Sequence, residues 1–282
     1  MATILKYVSK GGTVKMGGAL SHIRLIEPLN GFELPAKNYE TVEFAGENGI
    51  TTTGSKDMSR IMTISGDIYG GQKTLMEILK AFYYEGTLYC EFGNIKRKID
   101  CKVKNLDDIQ RHGNSGINGF TVQFEADYPY FNDYKDSVTT ISISKDLING
   151  TFILPCVWSE YLQKGIVVNN GDKITYPLIE IKTDTAPVAE KSIITIVNNS
   201  TGAFICLNHI MREGETVTLD LKTRRIKSSI DGNITNHITN DTALDNFYLD
   251  IGENEITFET SDKNQILTAN VTYNRLYIMA VR

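Results

Sequence analysis

The groups that could carry chemistry in this chain are four histidines, four cysteines and 34 acids, and their spacing decides what they can do. Nucleophilic catalysis needs a hydroxyl or thiol beside a base, and no G-x-S-x-G turn is present. His22, His112, His209 and His237 stand isolated, so a Ser/His/acid triad would have to be assembled in space without local support. A metal centre needs convergent ligands, and HxxxH, HExxH and CxxC spacings are all absent. Asp231-Gly-Asn-Ile-Thr-Asn lacks the alternating order and the terminal Glu of a calcium loop and reads as a turn. The neighbours Asp107 and Asp108 point apart in a strand end or loop and read as solvated surface. Gly11-Gly12 and Gly17-Gly18 bracket Lys15 without a GxxxxGK[ST] run or a βαβ setting, which reads as a loop rather than a phosphate cradle. Cys90, Cys101, Cys156 and Cys206 are too few for a disulfide framework and read as small buried hydrophobes. No catalytic residue, cofactor or metal ion is expected, and the chain is read as a non-enzyme.

Two binding chemistries remain. Lys96, Lys98, Lys102 and Lys104 alternate along one strand face, a basic face without the interleaved aromatics that stack on bases. Alternating lysine also serves to blunt an exposed sheet face or edge. Trp158, the single tryptophan, together with Tyr176, Tyr248, Tyr273 and Tyr277, could offer a platform to a sugar. The alternative reading of the chain is therefore a carbohydrate-binding or cell-wall adhesin module.

The elements that would position these groups are mostly strands. One helix is expected over Gln72–Tyr84, because Leu75, Ile78, Leu79 and Phe82 recur at helical spacing, with Met76 and Tyr83 widening the stripe. Gly86 just past it fits a left-handed helix end. Arg60–Tyr69 before it alternates as a strand. Thr87–Phe92 and Ile95–Lys104 flank Gly93-Asn94, a two-residue hairpin turn. That turn sets Phe92 against Ile95 and Cys90 against Arg97. Leu88, Cys90, Phe92, Ile95, Ile99, Cys101 and Val103 then share one face and the lysines the other; a one-residue slip would bury the lysines. Cys90 and Cys101 fall four residues apart along the pair, too far for a disulfide. Arg97 lands on the apolar face and needs a partner. Gly119–Ala126 is a further strand, ended by Pro129.

From Gly165 onward the pattern is all strand, at Ile174–Lys182, Ile193–Val197, Ala203–His209, Thr216–Asp220, Arg225–Ile230, Phe247–Ile251, Glu255–Glu259 and Ile266–Ile278. Short strands with regular turns indicate a sandwich or jelly roll.

The 282 residues are 41% hydrophobic and 22% charged, which excludes bulk disorder, collagen and coiled coil. The net charge of −5 argues against a nucleic-acid coat. Residues 1–135 hold 16 bases and 16 acids, residues 136–282 hold 13 and 18, consistent with two bodies. No run approaches the ~20 apolar residues of a membrane span. The start carries no secretory signal, so the chain is expected to stay in the cytosol that made it until a larger event releases it.

Several phrases, taken in order, resemble the distal tail proteins of long-tailed phages and the related baseplate hub proteins. They are Ile26-Glu-Pro-Leu-Asn-Gly-Phe-Glu-Leu-Pro35, Gly46-Glu-Asn-Gly, Arg60-Ile-Met-Thr-Ile-Ser-Gly-Asp-Ile, the helix and hairpin, and Phe120-Thr-Val-Gln-Phe-Glu-Ala-Asp-Tyr-Pro-Tyr-Phe131. Gly171-Asp-Lys-Ile-Thr-Tyr-Pro-Leu-Ile-Glu-Ile, Asn199-Ser-Thr-Gly, Glu213-Gly-Glu, Leu249-Asp-Ile-Gly-Glu-Asn-Glu-Ile-Thr-Phe and Tyr273-Asn-Arg-Leu-Tyr follow.

The resemblance implies a mainly β fold: an N-terminal split-barrel-like domain over 1–135 with one short helix, a boundary region over 136–164, and a C-terminal galectin-like β-sandwich over 165–282. It further implies a homohexameric ring at the distal end of a virion tail, or of a phage-like bacteriocin (tailocin), assembled in the host bacterial cytoplasm. The ring would join the tail tube protein to hub, fibre or receptor-binding proteins. DNA would meet it only in transit through the lumen, behind an acidic or neutral wall. Strand edges such as those of the Thr87–Lys104 hairpin would suit pairing between subunits. Arg60 and the corner at Tyr128, Pro129 and Phe131 are the expected ring contacts, with Lys96 and Lys98 beside them.

Overall fold

The computed structural model describes residues 3–19, 21–46, 48–111, 117–142, 163–187, 192–262 and 267–280, with backbone alone at 107–111, 140–142 and 163. His112, Cys156 and Trp158 lie outside the described residues. In chain order the elements are β1 Thr3–Ser9, β2 Gly12–Met16, β3 Ile23–Asn30, β4 Lys37–Val42, β5 Thr51–Asp57, β6 Arg60–Tyr69, α1 Gln72–Phe82, β7 Gly86–Phe92, β8 Ile95–Arg111, β9 Ile117–Ala126 and β10 Phe131–Asp133. Then come β11 Ser137–Ser142, β12 Gln163–Asn169, β13 Leu178–Thr183, β14 Ile193–Asn198, β15 Ala203–Asn208, β16 Thr216–Asp220, β17 Arg225–Ser228, β18 Gly232–Asn233, β19 Gly252–Thr260, β20 Leu267–Tyr273 and β21 Leu276–Tyr277. The chain divides into two compact units, residues 1–134 with 276–282, and residues 135–275. The fold is mainly β, with α1 the one α-helix among the described residues.

In the first unit a curved antiparallel sheet runs β2-β1-β7-β8-β9-β6-β3, with β10 paired to β8 and β21. The β7–β8 hairpin has the register its turn dictates, Phe92 opposite Ile95 and Cys90 opposite Arg97. Leu88, Cys90, Ile99 and Cys101 are buried on its inner face. Both thiols are free, and burial pushes both upward, so they remain neutral packing groups. Arg97 finds its partner in the ring of Tyr277, 3.8 Å from the guanidinium carbon. The partner comes from the last strand, because the Ile266–Ile278 run is two strands: it breaks after Tyr273, and β21 joins the first unit.

Helix α1 buries Ile78, Ala81 and Phe82 against the sheet. Phe82 meets Tyr7 and Phe124 edge-on. Met76 and Tyr83 do not widen the buried stripe; they are 60% and 83% exposed. Gly86 is needed for a different reason than a helix end. It opens β7 and has no left-handed backbone, but a Cβ there would meet the Val8 carbonyl oxygen at 2.2 Å.

In the second unit two sheets enclose one core. The first runs β11-β20-β13-β16-β17-β18 and the second β12-β19-β14-β15. Alternation supplies the core from both: Ile179, Ile181, Val217, Leu219, Ala269 and Val271 from one, Ile194, Ile196, Ile205, Leu207, Ile256 and Phe258 from the other. Phe247 and Leu249 are buried as expected of an alternating segment, yet the segment forms only a single bridge, Leu249 to Thr175.

Candidate assembly interface

β4 and β5, Lys37–Val42 and Thr51–Asp57, pair into a two-stranded hairpin that joins no larger sheet among the described residues. All six residues of β4 are exposed. An isolated hairpin is at best marginally stable in water and needs an anchor or a partner. This one carries Tyr39, Val42, Phe44 and Ile50 at 41–62% exposure, with Leu34 and Met58 also exposed at its base. Scattered exposed apolar groups are ordinary, but a cluster on one projecting element marks a contact surface.

The base of the hairpin is held tightly. Gly31 turns the chain out of β3 with φ +87°, where a Cβ would strike the Ile61 carbonyl oxygen at 2.0 Å. Arg60, 2% exposed, sits beneath that turn. Its Nη1 donates to the carbonyls of Gly31 (2.7 Å) and Glu33 (2.8 Å), its Nε to Pro129 (2.7 Å) and its Nη2 to Ile278 (2.7 Å). The guanidinium also lies 4.7 Å over the Phe131 ring. Burial draws its pKa down to about 10, and it stays charged at neutral pH. Tyr130 donates to the carboxylate of Asp57 at the end of β5. The Ala280 amide donates to the Phe32 carbonyl at 2.8 Å. One buried cation thus gathers four chain segments at the root of the arm.

The residues expected to contact ring neighbours divide by burial. Arg60, Pro129 and Phe131 face inward; with Arg60 and Phe131 at most 2% exposed, they have no surface to offer another chain. Tyr128 is 47% exposed and Lys96 is exposed, with Lys98 partly so. The hairpin Thr87–Lys104 has no open side along β7, which pairs with β1 over its whole length, and β8 pairs with β10 and β9. Among the described residues the main path of the sheet ends on β2 and β3, which approach each other where the Gly17 amide donates to the Ile23 carbonyl at 2.8 Å, and the two-residue β21, paired only to β10, is a further outer strand. The lysine face is matched by acids: Lys96 to Glu91 at 3.2 Å, Lys102 to Asp127 at 2.9 Å and Lys104 to Glu125 at 3.4 Å. That pairing removes the continuous cationic stripe a nucleic-acid backbone would need.

In the second unit His209, Glu215 and Ser228 converge, which the six-residue spacing of the first two did not announce. His209 Nε2 is 2.7 Å from Glu215 Oε1, Ser228 donates to the same oxygen, and the Arg212 amide donates to Oε2 at 2.8 Å. Arg212 pairs with Asp231 at 3.2 Å. Ligand atoms of His209, Glu215 and Asp231 lie within 4.8 Å of one another, the kind of grouping that could take a metal ion. The Glu215 oxygens are, however, already engaged by hydrogen-bond partners. A nucleophilic triad places imidazole between hydroxyl and carboxylate; here the carboxylate is central. Glu215 is fully buried, and His209 and Ser228 are 5% and 6% exposed, which leaves no room for a substrate. The arrangement is a structural knot joining β16, β17 and the turn before them.

Burial alone would raise the Glu215 pKa, but the bonds from Ser228, Arg212 and His209 outweigh it and hold the carboxyl below its ordinary value. A depressed folded-state pKa gives stability that is present above the unfolded value, about 4.3, and is lost as pH falls through the folded value. Glu215→Ala should cost about 3 kcal/mol at pH 7, since it strands buried donors. Segment-resolved hydrogen exchange should show wild-type protection in the second unit falling as the solution is acidified below pH ~4, with the variant lower and flatter throughout. Equal protection at pH 7 would contradict the knot.

The tyrosines that could have formed a sugar platform are engaged within the protein. Tyr273 is 7% exposed and donates to the Val168 carbonyl. Tyr277 bonds Asp133 and covers Arg97. Tyr176 packs on the core and meets Tyr248 edge-on at 6.4 Å.

Residues 170–277 match the model of the siphovirus-type tail component, C-terminal domain. No curated protein matches the chain significantly. Among solved structures, the Dit protein (gp 19.1) of phage SPP1, described as a paradigm of the hub adsorption apparatus in phages infecting Gram-positive bacteria, aligns with a TM-score of 0.66 at 12% identity over 96% of this chain and 98% of its own. A chain of the phage P2 baseplate in its activated conformation with calcium aligns at 0.57 and 9% identity over 98% of each. A chain of the phage p2 baseplate with strontium aligns at 0.53 and 9%, over 95% and 97%. At such identities the alignments establish a shared fold along the whole chain, and the family match establishes the C-terminal domain. Residues 170–277 are therefore similar to the C-terminal domain of siphovirus-type tail components, and the chain as a whole shares its fold with the SPP1 Dit protein.

Proposed function

We propose that the chain is a structural, non-catalytic subunit of a phage or phage-like tail tip, six copies of which close into a ring between the tail tube and the baseplate hub or receptor-binding apparatus. The observation that carries the reading is the tail-component domain at residues 170–277 on a fold that matches a phage hub protein end to end. The first unit supplies features that suit a ring. The main path of its sheet ends on β2 and β3, and it carries an exposed apolar arm on a rigid root. A closed ring requires such heterologous surfaces, each patch meeting a different one on the next copy. Tyr128, Lys96 and Lys98 would lie at or near the contacts. The second unit would project from the ring and hold fibre, hub or receptor-binding proteins, and DNA would only pass through the lumen. The protein would reside at the distal end of the virion tail.

Native mass spectrometry of the purified chain, alone and with its tail tube protein, tests this. A six-copy species is expected. A persistent monomer that binds glycans on an array would favour the adhesin reading instead.

A further inference from the structure

We infer that the arm of one copy seats in the groove between β2 and α1 of the next copy, so that arm and groove are the two halves of one ring contact. The inference rests on the ring reading above and names the surfaces it would use.

The arm is acidic as well as apolar. Glu40, Glu43 and Glu47 occur within a stretch, residues 38–55, that holds no Lys or Arg. Glu40 and Glu43 are exposed beside Tyr39, Val42, Phe44 and Ile50. The groove has the opposite character. It measures about 550 Å³ and is bounded by Gly11–Lys15 of the β2 edge, Ser21–Ile23, and Thr74, Glu77, Ile78 and Lys80 of the helix side. Val14, Ile23 and Ile78 are buried residues beneath it. Lys15 and Lys80 line it against the single acid Glu77, and Lys10 and Lys73 are their neighbours in sequence beside Gly11 and Thr74; all four lysines are exposed. Among the described residues none of these lysines has an ion-pair partner, unlike Lys96, Lys102 and Lys104 on the opposite strands. An apolar, acidic arm and an apolar-floored, basic groove are complementary in both respects.

β2 and β3, the end strands of the main path, differ in a way that favours the same groove. Pro28 lies in the stretch of β3 where its register with β6 shifts, between Ile26 and Asn30, and it has no backbone donor to offer an added strand. β2 contains no proline and borders the groove; its Lys15 carbonyl accepts from Ser21 Oγ at 2.5 Å, and past its end the Gly17 amide donates to the Ile23 carbonyl at 2.8 Å, so the edge left for a partner is the Gly12–Val14 stretch. Lys15 on that edge repels basic strands and admits an acidic one. The Arg60 clamp and the Tyr130–Asp57 bond hold the arm's root in place before it binds, so less entropy is lost on docking. A neutral first domain that segregates its charge this way needs no second protein to satisfy it.

Charge reversal in both halves is the test. Glu40→Lys with Glu43→Lys, and separately Lys15→Glu with Lys80→Glu, should each weaken oligomer formation on the order of 100-fold by native mass titration. All four sites are exposed, so melting temperatures should be unchanged. Combining the four substitutions should restore the oligomer. Mixing Glu43→Cys chains with Lys80→Cys chains should give an inter-chain disulfide that neither chain gives alone. Oligomers that persist in both reversed variants, with no mixed disulfide, would overturn the arm–groove contact and leave the ring intact. A wild-type chain that stays monomeric with tube protein present would instead sink the ring reading itself. Groove variants that lose binding to a short DNA duplex while keeping the oligomer would assign the groove to phosphate and overturn the inference.

Discussion

Arg60→Leu is expected to unfold the first unit selectively and to lower its stability by about 4 kcal/mol, roughly a 10 °C fall in its melting transition. The substitution keeps apolar bulk but leaves the carbonyls of Gly31, Glu33, Pro129 and Ile278 without their donor in a site that water does not reach. Leaving a buried polar group unsatisfied costs about 1–3 kcal/mol each, and the four costs overlap as the site relaxes. Arg60→Lys should recover only part of the loss, because one ammonium cannot span carbonyls that a planar fork reaches in three directions. Hydrogen exchange should locate the damage at Gly31–Leu34 and Phe131 while the second unit keeps its protection. A loss under about 1 kcal/mol would mean the clamp is ornamental.

Deleting residues 276–282 should damage the first unit at least as much, although those residues follow the second in sequence. The deletion removes β21 and its pairing with Phe131 and Asn132. It also removes the Ala280 bond to Phe32, the Ile278 acceptor of Arg60, the Tyr277 bond to Asp133 and the ring over Arg97. Phe32 and Phe131, now packed within 6.3 Å of each other, would lose cover. Calorimetry should show the transition of the first unit broadened and lowered, that of the second unchanged, and ring assembly abolished. Tyr277→Phe is the mild control: it retains the ring over Arg97 and should cost only about 1 kcal/mol for the hydroxyl bond. Unchanged first-unit protection in the deletion would show that β21 is an incidental contact.

The two cases show what the amino-acid pattern could and could not announce. The β7–β8 hairpin was legible to the residue because Gly93-Asn94 and the alternation of apolar groups with lysine impose one register, and that register isolated Arg97 as a group needing a partner. The partner itself was not legible. Tyr277 arrives on a two-residue strand, too short for any period, at the end of a run that reads as one strand. The arm was invisible for a related reason: residues 37–57 bury neither face, so the apolar alternation that reveals strands is missing. Arg60 stands in one of the family-like phrases, but a charge in a strand suggests surface, and only the converging carbonyls reveal it as an internal cation. His209 and Glu215 lie on separate turns and meet through the fold of β16 and β17 rather than through spacing. The family resemblance was legible from the order of short phrases, and the match at residues 170–277 covers the later ones.

Electron cryo-microscopy of the purified chain incubated with its tail tube protein tests the central claim most directly. Axial class averages should show closed six-fold rings seated on tube ends. Single particles of one subunit, free of the tube at micromolar concentration, would contradict the account.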